Sequence, residues 1–410
     1  MTPYPVSLII VSQKRREHLL RLLQSLRHQT HSNFEIIVVA DILPAEFESS
    51  VKFVPYLEAN ISAARNLGIR NSAAAVIAFC DDDAISDPPW LVRLVSPFVN
   101  KSIGTTTGYT RGRNGISRQW GAMRFDMAGC DHPFEIEESL AAVTYKAESD
   151  MPVKLIGTNM AIRKSTLLDI NGFDESFRFF LDETDVKLRL DRDGWQTAIV
   201  GNAQVHHSFA PSETRKANRA PTDLFEIGAS KAYFCKSHLQ GEVDKALRDF
   251  TNEQIIRLTT FVENHELRRR DVTQLMDSLA DGMSEGLQRQ RKQQDFSANP
   301  AEFLRFDVFG QKHVVICAGP RDGNWMKETV ADQVKAGKCV SVVQLLPSTR
   351  YFQVGFNDGY WLHRCGVWGK SNRNQPPIQF YTFKQRFAAE IRRISALHSV
   401  DTVMVNPVRK

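Results

Sequence analysis

No apolar run in this 410-residue chain approaches the ~20 residues a helix needs to cross a bilayer. The N-terminal run Val6–Val11 is short, and Lys14, Arg15 and Arg16 follow it at once, unlike a signal peptide. It reads as a buried strand in a cytoplasmic protein. Six cysteines (Cys80, Cys130, Cys235, Cys317, Cys339 and Cys365) lie far apart with no CxxC pair, which argues against a zinc ribbon or a disulfide framework. Low-complexity tracts and internal repeats are also missing. At 42% hydrophobic and 24% charged residues, the composition excludes a mainly disordered chain, a collagen-like repeat and a coiled-coil rod. The segment Ser12–Glu17 has no glycine, so the first apolar run is not followed by a glycine-rich phosphate loop.

Charge is unevenly spread. Residues 1–212 hold 22 Lys+Arg against 25 Asp+Glu, whereas residues 301–410 hold 16 against 8. A basic last quarter suits phosphate, an anionic polymer or a membrane surface, and equally a merely soluble face.

Strand-like and helix-like segments alternate over the first 210 residues. Val6–Val11, Phe34–Val39 and Val76–Cys80 are apolar runs. Glu17–Gln29 places Leu19, Leu20, Leu22, Leu23 and Leu26 at helical spacing, Ile61–Asn71 reads as a helix, and Pro88-Pro89 opens another. Such alternation predicts βαβ crossovers and a mostly parallel sheet, whose ligands bind beyond the carboxyl ends of the strands. Polar residues stand there: Ser12 after the first run, Asp41 after the second, and Asp81-Asp82-Asp83 after the third. Residues 222–294 look helical, and Ser297-Ala298-Asn299-Pro300 reads as a linker. A β/α pattern resumes with His313–Cys317, Met326–Ala336 and Val340–Leu346, and Asp401–Val405 is one more apolar run.

Three adjacent carboxylates repel one another unless solvated or neutralised. Asp81 and Asp83 can reach one side together, as hard divalent cations require; the plainer reading is a solvated acidic turn. Asp182-Glu183-Thr184-Asp185 opens a helix, where acids favour the helix dipole, so one acid caps the helix while another is free to act as a general base. His206-His207 follows a strand-like run. A lone histidine is usually a packed core residue, but imidazole is also a competent metal ligand.

In order, the segments are Val6–Val11, Glu35–Asp41, Ile61–Ile69 with Ala64-Arg65-Asn66-Leu67-Gly68, Asp81–Asp83, Gly157-Thr158-Asn159, Gly172-Phe173-Asp174, Asp182–Arg189 and His206. Over residues 5–210 this order resembles the family 2 glycosyltransferases of the GT-A fold group, which use nucleotide-diphospho-sugars. The resemblance implies a divalent cation (Mn²⁺ or Mg²⁺) on Asp83, Asp81 and His206. It implies donor contacts from Ser12, Asp41, Arg65, Asp81, Asp82, Gly157 and Asn159, with Asp41 on the base and Arg65 near the phosphates. Aligning Asp185 and Arg189 with the family's acidic motif gives Glu183 the place of the catalytic base. Two segments depart from the family pattern: Ser12-Gln13-Lys14-Arg15 replaces Pro-Thr-Tyr-Asn, and Ala40-Asp41-Ile42-Leu43 replaces Asp-Asp-Gly-Ser. The QxxRW motif of processive synthases is missing.

The implied activity is inverting transfer of a sugar, with a UDP-sugar favoured, to a hydroxyl of a glycan or lipid-linked glycan. The expected architecture is α/β: a GT-A catalytic domain over 1–221, a helical segment over 222–300, and a smaller β/α unit over 301–410. That unit resembles the opening of a GT-B module in His313–Cys317, Val340–Leu346, Asn357–Arg364 and Asp401–Val405. No nucleic-acid partner is expected; peripheral membrane association at the inner face and self-association through 222–300 are. The alternatives are a sugar-nucleotidyltransferase and a non-catalytic scaffold of the same fold.

Overall fold

The computed structural model describes residues 4–112, 114–136, 142–148, 150–208, 210–292, 301–310, 312–372 and 374–407. The expected linker at 297–300 lies outside the described residues.

The first unit runs β1 (Val6–Ser12), α1 (Arg16–Leu26), β2 (Phe34–Ala40), β3 (Lys52–Pro55), α2 (Ile61–Arg70), β4 (Val76–Asp81), β5 (Ala84–Ser86), α3 (Trp90–Val95) and β6 (Ile103–Arg111). Four short strands follow, β7 (Arg118–Trp120), β8 (Met123–Phe125), β9 (Asp131–Pro133) and β10 (Val143–Tyr145). The unit closes with β11 (Met160–Arg163), α4 (Lys164–Asp169), α5 (Asp182–Arg192) and β12 (Gln196–His207).

The main sheet has the order β10-β12-β6-β11-β4-β1-β2-β3, with β5 on β12 and β7 on β6. β1 pairs parallel with β2 and β4, and β6 pairs parallel with β12; β11 is antiparallel to both its neighbours. Every residue of β2 is buried, and nearly every residue of β1 and β4, which is why these strands read as unbroken apolar runs rather than alternating ones. Leu19, Leu22, Leu23 and Leu26 of α1 cover one face, whereas Ala64 and Ile69 of α2 and Val186 and Leu190 of α5 cover the other. Asn60 caps α2, its Oδ1 accepting the Ala63 N–H at 3.0 Å.

The expected helical segment is the helix set α6 (Phe225–His238), α7 (Val243–Glu263) and α8 (Arg269–Gln288). α6 and α8 touch backbone to backbone: a Cβ added at Gly282 would sit 2.0 Å from the Phe225 carbonyl oxygen, and one at Gly286 would sit 2.1 Å from that of Ala229. Only glycine permits this approach.

The last unit holds β13 (His313–Ala318), α9 (Gly323–Lys335), β14 (Cys339–Leu346), β15 (Gln353–Asn357), β16 (Tyr360–Gly366), α10 (Phe383–Leu397) and β17 (Thr402–Val405), in sheet order β15-β16-β14-β13-β17. It begins at residue 313 rather than 301. Residues 301–310 belong physically to the first unit: Phe306 is buried between Phe34 and Phe47, and its N–H donates to the Phe34 carbonyl at 2.8 Å. Ile85 packs with Cys339, Phe356 and Trp361, so the last unit also rests on the first. Among the described residues, no helix is long and apolar enough to cross a membrane.

Candidate active site

Parallel strands that end together bring their following residues to one edge of the sheet. β4 ends at Asp81, and the turn into β5 carries Asp82 and Asp83. β5 pairs with the end of β12, setting Ala84 opposite His207 and Ile85 opposite His206. Successive side chains of a strand point to opposite faces. His207 turns to the acids, its Nε2 lying 3.0 Å from Asp83 Oδ1, and one donor atom each from Asp81, Asp83 and His207 lie within 4.8 Å of one another.

His206 is not brought to this group. Its Nε2 meets Asp87 Oδ1 at 3.0 Å, and its ring lies 4.9 Å from that of Trp361 in the last unit. The expectation for His206 is corrected by one residue, and the cause is local. β12 shifts register against β6 between Val200 and Gln204, so facing cannot be counted from the apolar run that precedes the shift.

The same irregularity accounts for Asn159. Its Nδ2 donates to the carbonyls of Tyr109 and Ala203, both at 2.9 Å, and its Oδ1 accepts the Trp90 indole N–H at 2.8 Å. Fully buried and fully engaged, Asn159 stitches the shifted strand to β6 and does not reach the cleft as the resemblance implied.

The three acids differ in electrostatics. Burial raises the Asp81 carboxyl; Arg65 opposes this, and Asp83 adds to it. Burial pushes Asp82 up to about 6, although it accepts from Ser12 Oγ at 2.7 Å and pairs with Arg15 at 3.0 Å. For Asp83 burial also works upward, but the His207 contact, the Ala210 N–H at 2.7 Å and Arg15 outweigh it and hold the group below the usual carboxylate range. His207 Nδ1 lies 3.1 Å from Gln119 Oε1, an oxygen that can only accept. The ring is held from both sides, Nε2 facing Asp83 and Nδ1 facing Gln119.

Arg65 joins the two acidic groups. It projects from α2, pairs with Asp182 and stands 4.0 Å from Asp81, with its guanidinium over the rings of Phe79 and Phe173. Nearly all of it is buried, so it lies behind the acid cluster rather than open to a ligand. Gly157 passes close beside it; a Cβ there would lie 2.8 Å from Arg65 Nη2. Burial pushes Asp182 well above its usual range, with Arg65 opposing and Glu183 adding.

The chain enters α5 through Phe180 and Leu181, both left-handed at φ 72° and 65°. Two consecutive non-glycine residues in this region store strain that the surroundings must hold. They are held from the helical segment. Ser230 Oγ donates to the Phe179 carbonyl at 2.7 Å, Tyr233 Oη to Asp174 Oδ2 at 2.8 Å, and Arg289 Nη1 to the Ser176 carbonyl at 2.7 Å. Asp185 is buried, accepts from Arg189 at 2.9 and 2.6 Å, and meets His238 Nε2 at 2.8 Å. Glu183, one residue beyond Asp182, remains half-buried.

Two strands away, Asp41 accepts the Lys14 N–H at 3.1 Å and lines a hollow of about 370 Å³ with Ile42, Leu43, Glu48 and Phe53. Arg15, Gln119, Asp182, His207 and His238 complete the site and were not singled out from the sequence. Arg15 and Asp182 adjoin residues that were, and His207 was the unchosen half of a pair. Gln119 and His238 carry no sequence signal at all.

Residues 7–147 match the family model described as glycosyl transferase family 2. This stretch is a family 2 glycosyltransferase domain. An uncharacterized glycosyltransferase of Rickettsia bellii (strain RML369-C) is 34% identical over 87 residues, 19% of this chain and 13% of that protein. An N-acetylglucosaminyl-diphospho-decaprenol L-rhamnosyltransferase of Mycobacterium tuberculosis (strain CDC 1551 / Oshkosh) is 34% identical over 68 residues, 16% of this chain and 22% of that one. The chain thus spans less than a quarter of the length of these curated relatives. Among solved structures, S. aureus TarS aligns at TM-score 0.39 and 15% identity over 60% of this chain and 43% of that one. GalNAc-T7, solved with UDP, GalNAc and Mn²⁺, aligns at 0.42 and 17% over 57% and 50%. The family 2 match ends before Gly157, so α5 and His207 lie beyond it.

Proposed function

We propose that this protein transfers a sugar from a nucleotide-diphospho-sugar to a hydroxyl acceptor with inversion. The observation that carries the reading is the convergence of Asp81, Asp83 and His207 at the strand ends beside a family 2 domain. Two carboxylates and an imidazole are a donor set suited to Mn²⁺ or Mg²⁺, and one donor atom from each lies within 4.8 Å of the others. A cation held there would neutralise charge developing on the leaving diphosphate. The chain's own residues do the rest. Gln119 fixes the ring of His207, Ser12 and Arg15 hold Asp82 clear of the metal-facing side, and buried Arg65 keeps the field at Asp81 from becoming wholly negative. Glu183 is the accessible acid of its group and takes the proton from the attacking hydroxyl, while Asp185 stays engaged with Arg189 and His238.

The hollow beside Asp41 suits a nucleobase, with a UDP-sugar as the favoured donor. A glycan or lipid-linked glycan is the acceptor class, in keeping with the name of the mycobacterial relative, and the cytoplasm is the proposed location. Calorimetry with UDP and Mn²⁺ tests the reading: Asp83→Ala should abolish metal-dependent binding, and unchanged binding sinks it.

A further inference from the structure

Four parallel strands of the last unit, β13, β14, β16 and β17, end on one edge of their sheet. The loops on that edge expose large apolar side chains that globular surfaces usually cover. Phe380 is 94% exposed, Ile378 52% and Trp368 39%. They form one group. Gln379 N–H donates to the Trp368 carbonyl at 2.8 Å, and Ile378 bridges to Gly369.

Of the cations in residues 347–386, Arg386 is buried and paired with Glu390 at 3.1 Å; this stretch holds six Lys+Arg and a single acid, Asp358. That acid sits in the β15–β16 turn at the start of β16, about 20 Å from the loops at its end, given ~3.3 Å per residue. Arg350 and Lys384 are exposed, and the N–H of Gly366, two residues before Trp368, donates to the Arg350 carbonyl at 2.9 Å. A phenylalanine at full reach and a part-exposed tryptophan, with the exposed cations Arg350 and Lys384 in the flanking sequence, are complementary to a surface that is apolar inside and anionic at its face.

We propose that this edge docks the protein on an anionic lipid bilayer. The patch is also tied to the candidate active site. Asn114, in the loop between β6 and β7, donates to Tyr351 Oη at 2.8 Å and to the Ser371 carbonyl at 3.2 Å, and β7 then delivers Gln119 to His207. Docking here sets the cleft at a fixed station above the bilayer. The benefit of that station to a lipid-linked acceptor rests on the proposed glycosyl transfer; the binding itself does not.

Flotation of the full chain tests it, with vesicles of phosphatidylcholine alone and of phosphatidylcholine mixed with phosphatidylglycerol. The protein should float with the mixed vesicles, lose binding as salt rises, and ignore pure phosphatidylcholine. Phe380→Ser should weaken binding about tenfold or more, the worth of one buried aromatic side chain. Lys384→Glu should weaken it about fivefold or more. Both positions are exposed, so melting temperature should not move. Failure of the unmodified protein to float, or variants that float as well as it does, overturns the proposal. So does equal competition by soluble polyglutamate with no effect of Phe380→Ser, which would indicate an acidic polymer. Donor hydrolysis without vesicles, measured on the same preparations, reports separately on the glycosyl-transfer reading and should be untouched by either variant.

Discussion

Glu183 and Asp185 stand two residues apart on α5, and their surroundings assign them opposite work. Glu183→Gln keeps shape but cannot take a proton. It should leave UDP affinity and melting temperature near those of the unmodified protein and lower turnover by ~10²–10⁴-fold, the usual worth of a general base. Asp185→Asn strikes a different target. The Asp185 carboxylate answers both Arg189 and His238 in a buried setting, and an amide leaves Arg189 without a counter-charge. Breaking a buried pair from one side costs about 3–5 kcal/mol. At ~2–4 °C per kcal/mol for a domain of this size, melting should fall by roughly 6–20 °C. The pH dependence has a definite sign. Burial works to raise Asp185, but Arg189 and His238 outweigh it and hold the folded value below the ordinary one. Its stabilisation is therefore fully present above the unfolded value of ~4 and is lost as pH falls towards the folded one. Below about pH 4, the stability of Asp185→Asn should fall less steeply than that of the unmodified protein. Scanning fluorimetry across pH, calorimetry with UDP and single-turnover kinetics decide the matter. Catalytic loss in Asp185→Asn at unchanged melting temperature, with Glu183→Gln active, would refute the reasoning.

His207→Ala should weaken Mn²⁺-dependent UDP binding, whereas His206→Ala should leave it near that of the unmodified protein; calorimetry on both compares the two faces of one strand. Phe306→Ala should cost about 3–5 kcal/mol in chemical denaturation, because the ring is buried between Phe34 and Phe47. Gly282→Ala should destabilise by about 1–3 kcal/mol or more, since its new methyl meets the Phe225 carbonyl, and circular dichroism on heating reads the loss.

Much of this was legible in the chain itself. Apolar runs buried on both faces announced β1, β2 and β4, because a strand covered on two sides needs no polar positions. The acids at their ends followed, since loops at that edge are where a parallel sheet can expose charge. Eight short segments in order carried the family resemblance, and the match over residues 7–147 bears it out. The strand β6 was not read: its Thr-rich run, Ile103–Arg111, is buried but not apolar.

Facing was decided only by the fold. Whether His206 or His207 meets Asp83 turns on a register shift in β12, a property of its pairing with β6 rather than of its own residues. Asn159 is spent on the carbonyl that this shift leaves at Ala203, so a residue suited by type to hold a ligand holds a strand instead. Arg65 looked like a phosphate contact and became a buried link, because Asp182, 117 residues away in sequence, was folded against it. Residue type and spacing set which chemistry is available at a strand end; the hydrogen-bond demands of distant neighbours set which of those side chains remain free to perform it.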